Sequence, residues 1–288
     1  MAFYLFNQKF MFYDYSPIGV FDSGYGGLTI LKELKNRLSG YDFIYLGDNA
    51  RTPYGARSFE VVYDYTLEAV KFLFSKGCPL VILACNTASA KALRNIQQLD
   101  LPVIDPSRRV LGVIRPSVEK VAGLTRNGHI GVLGTVGTVI SESYPVELAK
   151  WSNGRVISTV QEACPMWVPI VENNEINTPG ANYFIQKNIR SILKKDPYLD
   201  TLILACTHYP LLIEQIKKFT PLGINILEQS MIVSDSLRDY LRRHPEMEKR
   251  ISGKGTIRYM TTESTSVFET KAGFFLGQPV TAEHVVLS

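Results

Sequence analysis

Val81-Ile82-Leu83-Ala84-Cys85-Asn86-Thr87 recurs later in the chain as Leu202-Ile203-Leu204-Ala205-Cys206-Thr207-His208, at an offset of 121 residues. Each copy is a short, unbroken apolar run of the kind that forms a strand buried on both faces, and each ends in a cysteine followed by hydrogen-bonding residues. A second echo pairs Ile18-Gly19-Val20-Phe21 with Ile130-Gly131-Val132-Leu133 at an offset of 112, each run leading into a small, Gly-containing turn. Strand-and-turn echoes arise readily in any α/β protein, so one of them carries little. Two in the same order, one ending in cysteine both times, point to a repeated α/β unit.

Outward from these runs, β-branched stretches alternate with longer helical patterns: Pro17 to Asp22, a helix from about Gly26, Asp42 to Asp48, and Pro79 to Cys85. Between the last two, Phe59, Val62, Tyr63, Thr66, Val70, Leu73 and Phe74 fall at spacings of three and four, which predicts a helix with one buried face. Further strands are expected at 129–133, 155–159, 201–205, 225–227 and 256–260. This rhythm predicts parallel sheets. The fold class is therefore α/β: two similar parallel-sheet domains related by pseudo-two-fold symmetry, with the active site in the cleft between them. The first domain is expected over 1–107 and 226–288, the second over 108–225. Ligands of open α/β sheets bind beyond the carboxyl ends of strands, so both cysteines should reach the shared cleft.

Composition narrows the partners. The 288 residues are 45% hydrophobic and carry a formal charge of +4 from scattered Lys and Arg, with no basic stripe, so no nucleic-acid partner is expected. The four cysteines (78, 85, 164 and 206) show no C-x-x-C spacing and fit free thiols in a reducing compartment. Residues 1–16, MAFYLFNQKFMFYDYS, lack the basic start, apolar run and cleavage site of a signal peptide, so a cytoplasmic protein without a membrane partner is expected. That segment reads either as an aromatic arm or as residues upstream of a start at Met11.

A free cysteine is usually a small buried hydrophobe, and Cys78 and Cys164 are read so. Cys85 and Cys206 differ, because each ends a strand where a helix begins. Asn86 or Thr87 is expected to cap the helix after Cys85, and the helix terminus should favour thiolate there, moving the pKa toward neutrality. Two thiols facing one carbon suit racemisation: one removes the α-proton while the other protonates the opposite face. Asn86, Thr87, Thr207 and nearby backbone N–H groups are candidates for stabilising the carbanion-like intermediate. Asp22 either orients an amine or assists Cys85, or else Asp22 or Ser23 simply caps the next helix. The loop from Gly47 to Gly55 either covers the cleft, with Tyr54 and Gly55 near a ligand carboxylate, or is a plain connection. Glu162 is either a salt-bridged surface carboxylate or a partner of His208. His129, His244 and His284 lack metal-ligand spacing, and no metal is expected.

The stretches FDSGYGGLTIL, GDNARTPYG, ILACNTASA, EACPMWVPIVE and ILACTHYPLL resemble, in order, those of the glutamate racemase family, from about Ile18 to Leu276. The resemblance implies Cys85 and Cys206 as catalytic acid/bases with Asp22, Glu162 and His208 in support. It implies substrate contacts at Asp22, Ser23, Tyr54, Gly55, Asn86, Thr87, Thr207 and His208, with Thr135 as a further addition. It also implies L-glutamate and D-glutamate as substrate and product, no pyridoxal phosphate or metal cofactor, a homodimer, and supply of D-glutamate for peptidoglycan. Asp105-Pro106-Ser107-Arg108-Arg109 departs from the family pattern as a short insertion near the crossover. An aspartate or other acidic amino-acid racemase is the nearest alternative. A cysteine hydrolase would use one thiol with His208 as base and leave Cys85 idle, while a two-lobed binding protein would leave both thiols unexplained.

Overall fold

The computed structural model describes residues 16–287, so the N-terminal arm expected over 1–16 lies, apart from Ser16, outside the described residues. Ten strands run in chain order: β1 (Ile18–Asp22), β2 (Phe43–Gly47), β3 (Leu80–Leu83), β4 (Arg109–Gly112), β5 (His129–Gly134), β6 (Ser158–Ala163), β7 (Thr201–Ala205), β8 (Asn225–Leu227), β9 (Ile257–Thr261) and β10 (Ala282–His284). They form one sheet in the order β10-β9-β2-β1-β3-β4 and a second in the order β6-β5-β7-β8. Every pairing among the described residues is parallel. Every residue of β1, β2, β3 and β7 is buried, as continuous apolar runs with helices on both faces require.

The sequence repeat is a structural repeat. In the first sheet β1 stands between β2 and β3, with β4 beyond; in the second, β5 stands between β6 and β7, with β8 beyond. Thus β1 answers to β5 and β3 to β7, matching the two echoes. This 2-1-3-4 order has its switch point between the first and third strands, where crossovers diverge and a crevice opens past the strand ends. Asp22, Ser23 and Cys85 follow that point in one unit; Thr135 and Cys206 follow it in the other.

Strand membership shifts the expected edges. Arg109–Gly112 belongs to the first sheet, although it lies past the edge at 107, and Asn225–Leu227 belongs to the second, running two residues past the edge at 225. The strand expected at 155–159 instead runs from Ser158 to Ala163.

The helix Phe59–Ser75 forms where the spacing put it, with Ser58 Oγ capping the Val61 N–H at 3.3 Å. Its Val62, Ala69, Val70, Leu73 and Phe74 pack with Phe21, Val81 and Leu83 on one face of the first sheet. Each fully buried aliphatic or aromatic side chain there contributes about 1.5–3 kcal/mol, and Leu73→Ala would cost about 2–5 kcal/mol. On the other face one apolar cluster joins Ile18, Val20 and Tyr45 of the first sheet to Leu133, Leu202 and Leu204 of the second. The two units therefore share core as well as a boundary.

Candidate active site

Where β3 ends, the chain turns at Cys85, the N-cap of the short helix Asn86–Lys91. Cys85 is extended there (φ −66°, ψ 123°), and its Sγ accepts the Ala88 N–H at 3.4 Å. The thiol therefore fills the capping role expected of Asn86 or Thr87, because the strand-to-helix turn falls one residue earlier. Ser23, just after β1, places Oγ 3.2 Å from the same sulfur.

Cys206 directly follows β7 and leads into the short 3-10 turn Tyr209–Leu212, with Pro210 in its first turn. The His208 ring bridges two partners: Nδ1 lies 3.8 Å from Cys206 Sγ and Nε2 lies 3.0 Å from Glu172 Oε1. Glu172 ends the helix Trp167–Glu172, which is anchored by buried Trp167, Ile170 and Val171.

Glu162, read either as a salt-bridged carboxylate or as a partner of His208, is held away from that ring. On β6 its Oε2 lies 2.7 Å from Lys195 Nζ and accepts from Ser191 Oγ at 2.8 Å, while Oε1 accepts from Asn188 Nδ2 at 2.9 Å. The ion-paired reading of Glu162 is the one observed. Glu172 closes the EACPMWVPIVE stretch, and a carboxylate ending a short apolar helix was the available signal.

The two thiols stand in opposite electrostatic surroundings. Burial, reinforced by the Asp22 charge, pushes Cys85 up to about 12 against the lowering contacts of Ser23 and the Ala88 N–H. This reverses the expected drop toward neutrality, because one long N–H contact at a six-residue helix is outweighed by desolvation. At neutral pH Cys85 is a thiol. Burial alone would lower His208, but its hydrogen bonds to Cys206 and Glu172 raise it to about 10, so an imidazolium faces Cys206. Asp22 is raised by burial despite the opposing His208 charge and the Gly27 and Gly24 N–H groups. Its Oδ2 accepts from the Gly24 N–H at 2.9 Å, while Oδ1 is buried with no hydrogen-bond partner among the described residues.

The remaining expected residues divide. Thr87 Oγ1 meets Thr135 Oγ1 at 3.0 Å across the unit boundary, and Thr135 caps the helix Val136–Ile140. Gly55 packs on Thr135, where a Cβ would come within 3.0 Å of the threonine Cβ. Thr207 and His208 press on Gly26, where a Cβ would stand 2.2 Å from Thr207 Oγ1 and 2.4 Å from His208 Nδ1. That approach explains the glycine. Two residues expected to contact a ligand are otherwise engaged: buried Tyr54 gives its hydroxyl to Asp48, and both ends of the Asn86 side-chain amide are bound within the protein.

Cys85 and Cys206 are 5% and 6% exposed, so a small molecule reaching both sulfurs would be held almost free of water. Among the described residues no cluster of three or more His, Cys, Asp or Glu side chains could hold a metal ion, and no helix is long and apolar enough to cross a membrane.

A family model described as Asp/Glu/Hydantoin racemase matches residues 18–228. The glutamate racemase of Persephonella marina is 37% identical over 94% of this chain and 97% of its own length. That of Listeria monocytogenes serotype 4a is 39% identical over 94% and 98%. Among solved structures, a glutamate racemase isoform from Bacillus anthracis matches with a TM-score of 0.85 at 34% identity, covering 96% of this chain and 99% of that one. The Francisella tularensis glutamate racemase, solved in complex with D-glutamate, matches with a TM-score of 0.83 at 30% identity, covering 96% and 99%.

Proposed function

Because the chain belongs to the glutamate racemases of the Asp/Glu/Hydantoin racemase family and is an amino-acid racemase, we propose that it interconverts L-glutamate and D-glutamate by proton transfer between Cys85 and Cys206. The observation that carries this reading is the pair of nearly buried thiols at equivalent positions of a repeated unit, one beside a carboxylate and the other beside an imidazolium.

In one direction Cys206, with the His208 imidazolium at its side, takes the α-proton, and the electron pair left on carbon delocalises into the substrate carboxylate. The Cys85 thiol then delivers its proton to the opposite face. The reverse reaction exchanges these roles. Glu172 keeps His208 charged. Asp22 Oδ1 accepts the substrate ammonium, and the hydroxyls of Ser23, Thr87 and Thr207 with nearby backbone N–H groups receive its carboxylates. Gly55 and Thr135 shape the boundary, and Tyr54 braces the loop from behind through Asp48. Asn86 acts through its position next to Cys85. No step calls for pyridoxal phosphate or a metal ion. The Francisella tularensis relative, bound to D-glutamate, supports the substrate. Supply of D-glutamate for peptidoglycan in the cytoplasm, by a homodimer, completes the proposal.

The test is to incubate the purified protein with L-glutamate and follow the optical signal by circular dichroism. Decay to the racemic value, unaffected by added pyridoxal phosphate, supports the proposal. Decay with L-aspartate but not L-glutamate would overturn the substrate, and no decay with either would overturn the reaction.

A further inference from the structure

Asn86, the residue after Cys85, belongs to a closed ring of hydrogen bonds that the proposed chemistry does not use. Its Nδ2 donates to Gln229 Oε1 at 2.6 Å, Gln229 Nε2 donates to the Tyr144 hydroxyl at 2.8 Å, and that hydroxyl donates to Asn86 Oδ1 at 2.7 Å. Gln229 also donates to Ser117 Oγ at 2.8 Å, and Ser117 in turn donates to the Val113 carbonyl at 2.8 Å. Asn86 and Gln229 are 2% exposed, Tyr144 and Ser117 fully buried. The members come from four places: the first helical residue after Cys85, the start of the helix Gln229–Arg243, the helix Ser143–Trp151 and the helix Ile114–Val121.

A buried ring in which each of three side chains both donates and accepts holds its members to one another, because opening it leaves a polar atom unpaired in a dry interior, and the Ser117 hydroxyl, committed to the Val113 carbonyl, favours the direction in which Gln229 donates to it. It joins the helix that Cys85 caps to three further helices, two of which pack in one apolar cluster with the second sheet. We propose that Tyr144 and Gln229 are positioning residues for the reaction: they fix Asn86, and through it the cap at which Cys85 presents its sulfur.

This rests on the reading of Cys85 as a reacting thiol, and the test separates the two. In Tyr144→Phe the ring opens while the aromatic packing stays. Iodoacetamide labelling of each cysteine, read by peptide mass spectrometry, should show Cys85 labelling changed at least about threefold and Cys206 unchanged, since small displacements at a preorganised group act locally. Glutamate turnover should fall about ten- to a hundredfold in both directions with KM within about twofold, as misplacement of a reacting group predicts. Ser117→Ala, which removes the hydroxyl between Gln229 and the Val113 carbonyl and leaves the three-membered ring closed, should give a smaller change of the same kind and serves if Tyr144→Phe does not fold. Equal changes at both cysteines, or no change at Cys85, would overturn the positioning role. The labelling needs no turnover, so it stands even if glutamate is not the substrate.

Discussion

Glu172 Oε1 lies 3.0 Å from His208 Nε2, and this contact, with that of Cys206 at the opposite edge, holds the charge on the ring. His208 titrates at about 10 against an ordinary 6.5, because the hydrogen bonds to Cys206 and Glu172 overcome burial. A group raised on folding stabilises the protein in full below its unfolded pKa, here about 6.5, and that contribution is lost as pH rises through about 10.

Glu172→Gln should therefore bring the His208 titration down by at least about one unit and remove the stability lost between about pH 6.5 and 10. NMR titration of labelled histidine and melting temperature against pH check both. An unchanged His208 titration would show that Glu172 does not govern its charge. Turnover should fall about ten- to a hundredfold, less than the roughly 10²- to 10⁴-fold that a lost acid–base group itself costs.

Cys85→Ser and Cys206→Ser should each lower racemisation by about 10²- to 10⁴-fold, since a hydroxyl is far too weak an acid to replace a thiol. Their melting temperatures should stay within a few degrees of the parent, because each sulfur makes few contacts that an oxygen cannot. Near-parental turnover by either variant would remove that cysteine from the chemistry.

Glu162→Gln should leave turnover within about twofold and cost about 1 kcal/mol of stability, because its partners Lys195, Asn188 and Ser191 fasten β6 to the helix Pro179–Lys195. A loss of turnover matching that of Glu172→Gln would return Glu162 to the active site.

Gly26→Ala should destabilise the protein by about 1–3 kcal/mol and impair turnover, because the added methyl meets Thr207 and His208 across the boundary. Thermal melting and steady-state kinetics measure the two effects. A melting temperature equal to the parent's would show that the boundary yields without cost.

Strands buried on both faces were legible in the sequence because their apolar runs are unbroken: β1, β3 and β7 stand where the echoes put them, and the repeat carried the two-sheet architecture with them. β6 was misplaced by three residues because Ser158-Thr159-Val160-Gln161-Glu162-Ala163 is half-buried throughout and shows no period of two. β4 and β10 are short and partly exposed, and their sequences carry no comparable signal. At the site, the residues at strand ends were legible from the motifs. The His208 partner was not resolved, since Glu172 lies 36 residues away and reaches the ring only through packing of Trp167, Ile170 and Val171. The capping role of Cys85 depends on where one turn closes, and the ring that engages Asn86 joins residues up to 143 positions apart.

The central claim, that two cysteines on opposite faces exchange the α-proton, is tested most directly by the position of deuterium early in the reaction. Purified protein is given L-glutamate in D₂O, the reaction is stopped after a few per cent conversion, and the enantiomers are separated and examined for deuterium at Cα. Two separate thiols predict a D-glutamate product deuterated at Cα and recovered L-glutamate that is largely undeuterated. Deuterium entering the recovered L-glutamate as fast as D-glutamate forms would mean that one group serves both faces, and would contradict it.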